Sequence, residues 1–283
     1  MVLTLLNQQS GGVDYLWVGI YSAAYKGGAI SRFVTSFLDD LEEPVSLWIG
    51  QGDGIDNIAT LENALVSLEH GEGRKIVAVL CTRLPPETDL SRVVLLPLDD
   101  SFFSQGVLPV LSLHHVPWEG RESKVFWCGR CCAERERIVS RMAVSPHSSV
   151  GFTEAPPGSD LGRSWALPSE FQGYKYVAIV DGNVIASSLM WTFAVGAVPV
   201  LITHPLNDFW FKKYLKPYEN YVPVSFDMSD YDEVVEWMLA HDSECQKIAA
   251  GAMQLAATVF TPRFQEDHVR AELQRVLTSA VRR

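Results

Sequence analysis

Two arginines, a carboxylate-glycine turn, a pair of serines and a pair of aspartates are the residues of this chain that could do chemistry. Arg130 ends the apolar run KVFWCGR (Lys124–Arg130) directly after Gly129, and Arg135 falls in the first turn of the helical pattern that follows. A guanidinium at a strand end can fork onto a diphosphate through charge-assisted hydrogen bonds. Further on, the apolar run Tyr176–Val180 enters Asp181-Gly182-Asn183, and a helix is expected from about Ser187. That order aims backbone N–H groups, the Ser187 and Ser188 hydroxyls and a positive helix end at one spot, where α/β proteins take phosphorylated ligands. A carboxylate beside a diphosphate is repelled, so Asp181 is expected to shape the turn or to contact a sugar or ribose. Asp99-Asp100 follows the run VVLLPL. Adjacent carboxylates raise one another's pKa, which suits a proton acceptor. Of the two, Asp100 has the better register to the downstream Leu108-Pro109-Val110, and His114-His115 is the second candidate base. Plainer roles stand beside these: exposed surface for the arginines, helix capping for the serines, and a loop turn for the aspartates.

The elements that must position these residues alternate along the chain. Strands are expected at Tyr15–Ile20, Val45–Ile49, Ile76–Leu80, Val93–Leu96, Val110–Leu113, Val125–Trp127, Val150–Thr153, Val177–Val180, Val198–Ile202 and Val222–Phe226. Helical spacing falls between them, with Ile30, Phe33, Val34, Phe37 and Leu38 on one face and Ile58, Leu61, Leu65 and Leu68 on another. Short apolar strands with intervening helices imply an α/β fold with parallel sheet covered on both faces. A last helix is expected from about Arg263 to Val281, with Phe264, Val269, Leu273, Val276 and Leu277 apolar. The Pro/Gly-rich interval from Glu154 to Gly173 can be read as a domain linker; the family resemblance given below implies a functional loop instead. Trp17, Trp48, Trp127, Trp191 and Trp210 are expected in cores. Tyr21 and Tyr25, beside Lys26-Gly27-Gly28, are expected to border an acceptor cleft.

Composition bounds the partners. The chain has 283 residues, 47% of them apolar, and a formal charge of −11. That charge argues against nucleic acid, whose phosphates need a basic surface. The start, MVLTLLNQQSGG, has no basic segment, so no signal peptide is expected, and no apolar run approaches the roughly 20 residues of a membrane span. Five cysteines, an odd number, point to free thiols in a reducing compartment. Cys128, Cys131 and Cys132 lack a second CxxC or HxxxH to complete a zinc site, so they read as a strand-end turn.

Several stretches together resemble glycosyltransferase family 90, which includes protein O-glucosyltransferases, fungal capsule-associated xylosyltransferases and bacterial lipopolysaccharide-modifying enzymes. The stretches are Tyr174-Lys175-Tyr176, Asp181-Gly182, the AxGAVPVL entry Ala194–Leu201, the LxPxxxYVPV run Leu215–Val224 and the SDxxExxxWxxxHD helix Ser229–Asp242. Lys124–Arg130 with Glu134 and Arg135 is similar to the family's strand ending in an FxRGxR-type turn.

The resemblance implies a GT-B fold of two Rossmann-like domains facing across a cleft. The expected division is 1–117 on the acceptor side, 118–262 for the nucleotide sugar, and a helix at 263–283 crossing back to the first domain. It implies an inverting transfer of xylose or glucose from a UDP-sugar to a glycan or glycoprotein, with Asp100 or Asp99 as base. Xylose is the slight preference. Family members commonly carry a diphosphate-contacting arginine that falls, by spacing, at Ser188 of this chain. No cofactor and no metal are expected: Asp53-Gly54-Ile55-Asp56 is too widely spaced for a manganese-binding DxD, and Asp230-Tyr231-Asp232 is expected to cap a helix after Ser229. Eukaryotic members work in the secretory pathway, whereas this chain is expected in the cytoplasm, of a bacterium or of a virus's host. The competing expectation is a non-catalytic nucleotide-sugar or glycan-binding module.

Overall fold

The structure is a computed structural model that describes residues 3–4, 29–41, 45–50, 55–69, 71, 73–79, 81–97, 100–107, 110, 116–186 and 188–279. The expected strand at 15–20, Trp17, Tyr21, Tyr25, Lys26, Asp53, Asp99, residues 111–113, His114, His115 and Ser187 lie outside those residues. The first half of the chain runs β1 (Leu3–Thr4), α1 (Ala29–Asp39), β2 (Val45–Gly50), α2 (Ile58–Ser67), β3 (Arg74–Val79), β4 (Cys81–Arg83), β5 (Val93–Leu95) and α3 (Asp100–Gln105). The second runs β6 (Glu122–Arg130), α4 (Ala133–Ala143), β7 (Ser148–Glu154), α5 (Pro168–Phe171), β8 (Tyr174–Val180), β9 (Val198–Ile202), β10 (Asn207–Phe209), β11 (Val222–Pro223), α6 (Tyr231–Ala240), α7 (Asp242–Val259) and α8 (Pro262–Ser279). The chain divides into two compact units, one of residues 1–106, 206–212 and 262–283, the other of residues 107–205 and 213–261. Among the described residues no helix is long and apolar enough to cross a membrane.

In the first unit the parallel strands lie in the order β1-β2-β3-β5. Successive side chains of β3 go to opposite faces. Ile76 and Ala78 join Ile30, Val34 and Leu38 of α1 and Val269, Leu273, Val276 and Leu277 of α8. Val77 and Val79 join Leu61, Ala64 and Leu68 of α2. Both faces are therefore covered, which is why the strand reads as an unbroken apolar run. Helix α8 is fastened at the β5 edge, where Arg275 Nη2 donates to Val93 O (2.8 Å) and a ring nitrogen of His268 meets Leu95 O at 3.2 Å. Ile58, expected on the buried face of α2, is 47% exposed, because the covered face runs through Leu61, Ala64 and Leu68. Strands β4 and β10 pair antiparallel within this unit, 124 residues apart in sequence, with Arg83 Nε donating to Asn207 Oδ1 at 2.7 Å.

The second unit carries a parallel sheet in the order β11-β9-β8-β6-β7. Val125 and Trp127 of β6 and Tyr176, Ala178 and Val180 of β8 face a core with α4, α6 and α7. Phe126 and Val177 face the opposite side, with Phe171, Val195 and Ala197. Gly196 turns into β9 at φ +73°, a conformation that favours glycine, and the buried Arg121 guanidinium holds that turn through Gly196 O at 2.6 Å. Gly251 of α7 allows a second close approach. A Cβ there would lie 2.2 Å from Glu219 O, so the 216–220 turn rests directly on the helix.

Several motif residues prove to be staples at the amino ends of the strands. Lys175 Nζ donates to Asp242 Oδ1 at 2.7 Å, Trp118 Nε1 donates to Asp242 Oδ2 at 3.0 Å, and Tyr176 OH donates to Met238 O at 3.0 Å. The Lys175 ammonium also lies 5.2 Å from the Trp118 ring centre. The first turn of α6 differs from expectation. The Asp230 carboxylate accepts from Ser225 N and Ser225 Oγ, closing a loop instead of capping the helix, and Ser229 is engaged with Asp227.

Partial burial alone would raise the Asp242 pKa, but the hydrogen bonds from Lys175 and Trp118 outweigh it and hold the carboxyl below its ordinary value. A depressed folded-state pKa stabilises above the unfolded value and is lost as pH falls through the folded one. Because the Asp242 side chain is 50% exposed, the expected loss in Asp242→Ala is modest, about 1 kcal/mol at neutral pH. Denaturant melts at pH 7 and in mild acid check this. The gap between wild type and variant should shrink on acidification.

Candidate nucleotide-sugar site

The strand order of the second unit fixes where a ligand can enter. The connection from β6 through α4 leads outward to β7, and the chain then crosses back to place β8 on the other side of β6. Such a reversal opens a crevice at the carboxyl ends of β6 and β8, the usual ligand position in an open α/β sheet. Gly129 and Arg130 end β6, Arg135 lies in the first turn of α4, and Asp181-Gly182 follows β8. Residues far apart in sequence thus share one end of one sheet.

Arg135 is the best-fixed of them. Its Nε donates to Val180 O (3.2 Å) and Asp181 O (3.0 Å), its Nη2 to Val180 O (3.0 Å) and its Nη1 to Arg130 O (3.3 Å). The guanidinium lies 5.5 Å from the centre of the Trp127 ring. Burial lowers its pKa, while nearby Cys132 and Asp181 act in the opposite sense. Gly182 lies against it, a Cβ there falling 3.4 Å from Arg135 Nη2, an ordinary contact distance. Arg130 differs. It is exposed and paired with Glu154, Nη2 to Oε2 at 2.9 Å and Nε to the same oxygen at 3.2 Å.

Asp181 is buried, and its Oδ2 accepts from Thr203 Oγ1 (2.7 Å) and His204 N (2.8 Å). It joins the end of β8 to the end of β9. Asn183 is exposed beside it. The expected α-helix from about Ser187 is absent among the described residues. Residues 188–190 form a turn and Trp191–Ala194 a single 3₁₀ turn. Leu189, Met190, Phe193, Ala194 and Val195 of this segment are all buried. Ser188 O accepts from Thr192 N (3.1 Å) and Thr192 Oγ1 (2.8 Å). The positive helix end at this site is that of α4, an 11-residue helix with Cys132 at its N-cap. Asp100 is the first residue of α3 in the first unit.

The loop after β7 adds residues that the sequence did not single out. Residues 161–163 bond to the free edge of β7 through Phe152 N to Leu161 O (2.7 Å) and Arg163 N to Phe152 O (2.8 Å). Arg163 Nη1 donates to Ser149 O and Oγ, each at 3.1 Å, with its guanidinium 4.5 Å from the Phe126 ring centre. Cys128 Sγ donates to Ser164 O at 3.3 Å, and burial raises this thiol's pKa. Thr203 and His204 also escaped notice, although each directly follows an apolar strand, the signal that could have found them. Among the described residues no three His, Cys, Asp or Glu side chains gather as a metal-binding group.

Comparison with known proteins bears on the family and the fold. Protein O-glucosyltransferase 2 of Danio rerio is 36% identical over 94 residues, 31% of this chain and 18% of that protein. The uncharacterized protein 027R of Frog virus 3 (isolate Goorha) is 37% identical over 91 residues, 31% of this chain and 9% of that protein. The chain thus spans less than a fifth of either relative's length. The crystal structure of TarM superposes with a TM-score of 0.50 at 8% identity, covering 87% of this chain and 58% of that one, a likeness of fold. Residues 110–263, more than half of the sequence and including every element of the β6–β8 crevice, match Glycosyl transferase family 90, and the chain belongs to that family.

Proposed function

We propose that this protein transfers a sugar, xylose or glucose, from a UDP-sugar to a hydroxyl of a glycan or glycoprotein, by an inverting, metal-independent reaction of GT-B type. The observation that carries the reading is the Arg135 guanidinium fixed at the β6–β8 crevice, with Arg130 beside it in the same strand-end turn. Family membership and a relative named for glucosyl transfer support it. The chemistry asks for a base to take the acceptor proton and for positive charge to receive the departing diphosphate. As the acceptor oxygen attacks the anomeric carbon, the bond from that carbon to UDP breaks and two negative phosphates depart. Arg135 is a preorganised charge for them, because its carbonyl partners hold it in place before the reaction. Arg130 reaches the diphosphate by leaving Glu154, and an exposed pair of this kind is worth only about 0.2–1 kcal/mol. The first-turn N–H groups of α4 supply dipoles in the same place. Asp100, or Asp99 before it, is proposed as the base. Five free thiols and viral relatives favour the cytoplasm of a host cell as the setting.

A second reading, a non-catalytic module that binds a nucleotide sugar or a glycan, is favoured by Ser188, which stands where the family resemblance implies an arginine. Measuring transfer as well as UDP binding separates the two.

Three outcomes are expected. Arg130→Ala should keep the wild-type melting temperature and weaken UDP by about 1–2 kcal/mol, the value of a charge-assisted bond less the release from Glu154. Arg135→Ala should lose both stability and UDP affinity, because it strips three carbonyls of their donor. Calorimetry beside thermal melts reads both. Sugar transfer should survive excess chelator; abolition with rescue by manganese or magnesium would sink the metal-independent mechanism. Asp100→Asn should lower kcat by on the order of 10²–10⁴ with UDP affinity near wild type. Full activity in both Asp100→Asn and Asp99→Asn would place the base elsewhere.

A further inference from the structure

Trp165 is the one exposed tryptophan among the described residues, 68% exposed, and Leu167 close by is 59% exposed. The backbone on either side of Trp165 is nevertheless firmly held. Before it, Arg163 is bonded to Phe152 and Ser149 and packs on Phe126, and Ser164 O accepts from Cys128 Sγ. After it, Ala166 is buried with Phe126, Phe171 and Val177, and Leu167 N donates to Glu170 Oε2 at 2.6 Å. A chance surface residue on a loose loop looks different. Here an apolar ring is left in water by a loop that is otherwise over-determined, so its exposure is a built feature. Cys128, which anchors Ser164, directly precedes Gly129 and Arg130, so the residue before Trp165 is tied to the strand end that carries them.

We propose that Trp165 is the platform on which the acceptor's sugar ring stacks, which makes it a specificity-determining residue for the transfer. The proposal rests on the reading of the β6–β8 crevice as the donor site. One face of a pyranose presents only C–H groups, which lie flat against the negative face of an indole and bury apolar area there. The nucleobase is the less suitable occupant. Ser164 and Ala166, on either side of Trp165, are held on the sheet face opposite α4, and the ring is open to solvent instead of forming part of an enclosed slot. An open aromatic face suits a ligand that must arrive and leave at each turnover, and the chain's charge of −11 favours a neutral glycan over an anionic one.

The test compares wild type with Trp165→Ala and Trp165→Phe on an array of immobilised neutral glycans, with UDP binding measured separately by calorimetry. All three proteins should melt alike, since the ring is exposed. The expected result is that Trp165→Ala loses on the order of tenfold or more in binding to those glycans that retain the wild type, that Trp165→Phe keeps most of it, and that UDP affinity is unchanged. Equal glycan binding by Trp165→Ala, or no glycan retained by the wild type, overturns the proposal. Weakened UDP binding in Trp165→Ala also overturns it, assigning the ring to the nucleotide. Failure of the wild type to bind UDP would instead overturn the donor-site reading, and it is seen in a different measurement.

Discussion

Carbonyl groups at the carboxyl ends of parallel strands have no neighbour left to bond, and an unmet buried carbonyl is costly. In the second unit the carbonyls of Arg130, Val180 and Asp181 converge at the place where the strand order reverses. One guanidinium, that of Arg135, donates to all three. The same contact sets the spacing of the β6 and β8 ends, fixes the first turn of α4 and leaves a positive charge in the crevice. Stability and ligand chemistry are thus drawn from a single group, and the turn residues around it derive their positions from it.

Much of the architecture was legible. The expected strands from Val45–Ile49 to Val222–Phe226 coincide with observed ones, because a sheet buried on both faces needs continuous apolar runs; the exception is Val110–Leu113, whose one described residue, Val110, is helical. The pairing of β4 with β10 was not legible. Each is three residues long, and their partnership depends on a contact 124 residues distant. The segment after β8 misled for a related reason. Its apolar residues are buried all round, so they carry no amphipathic period, and a helix was inferred from the turn before it. At the site, strand ends located Gly129, Arg130, Arg135 and Asp181. What sequence could not give was the partner of each: Glu154 on Arg130, and Thr203 and His204 on Asp181. Trp165 escaped because a tryptophan is by default a core residue, and only burial tells an exposed one from the rest.

The recurrent motifs divide by physical job. Tyr174-Lys175-Tyr176 and the His241-Asp242 end of the long motif meet at the amino ends of the strands, opposite the crevice. There they staple β8 to the α6–α7 junction and to Trp118. The Gly196 turn, with Arg121 beneath it, sets the entry of β9. These residues make the resemblance specific without touching chemistry, whereas the groups suited to handling charge are few and sit at strand ends.

The path of the chain through its two units has a consequence for synthesis. The first unit is left at residue 106 and is completed only when α8, residues 262–279, lays Val269, Leu273 and Val276 against its sheet. A ribosome therefore exposes β2, β3 and β5 with one face covered only in part, by α1, for the time needed to make more than 150 further residues. At roughly 5–20 residues per second that is on the order of ten seconds or more, during which the part of that face awaiting α8 is open to chaperones and to aggregation. The second unit is contiguous but for the short 206–212 excursion, so it can close as soon as it emerges. Vectorial synthesis should thus deliver the second unit folded first, although it is encoded second.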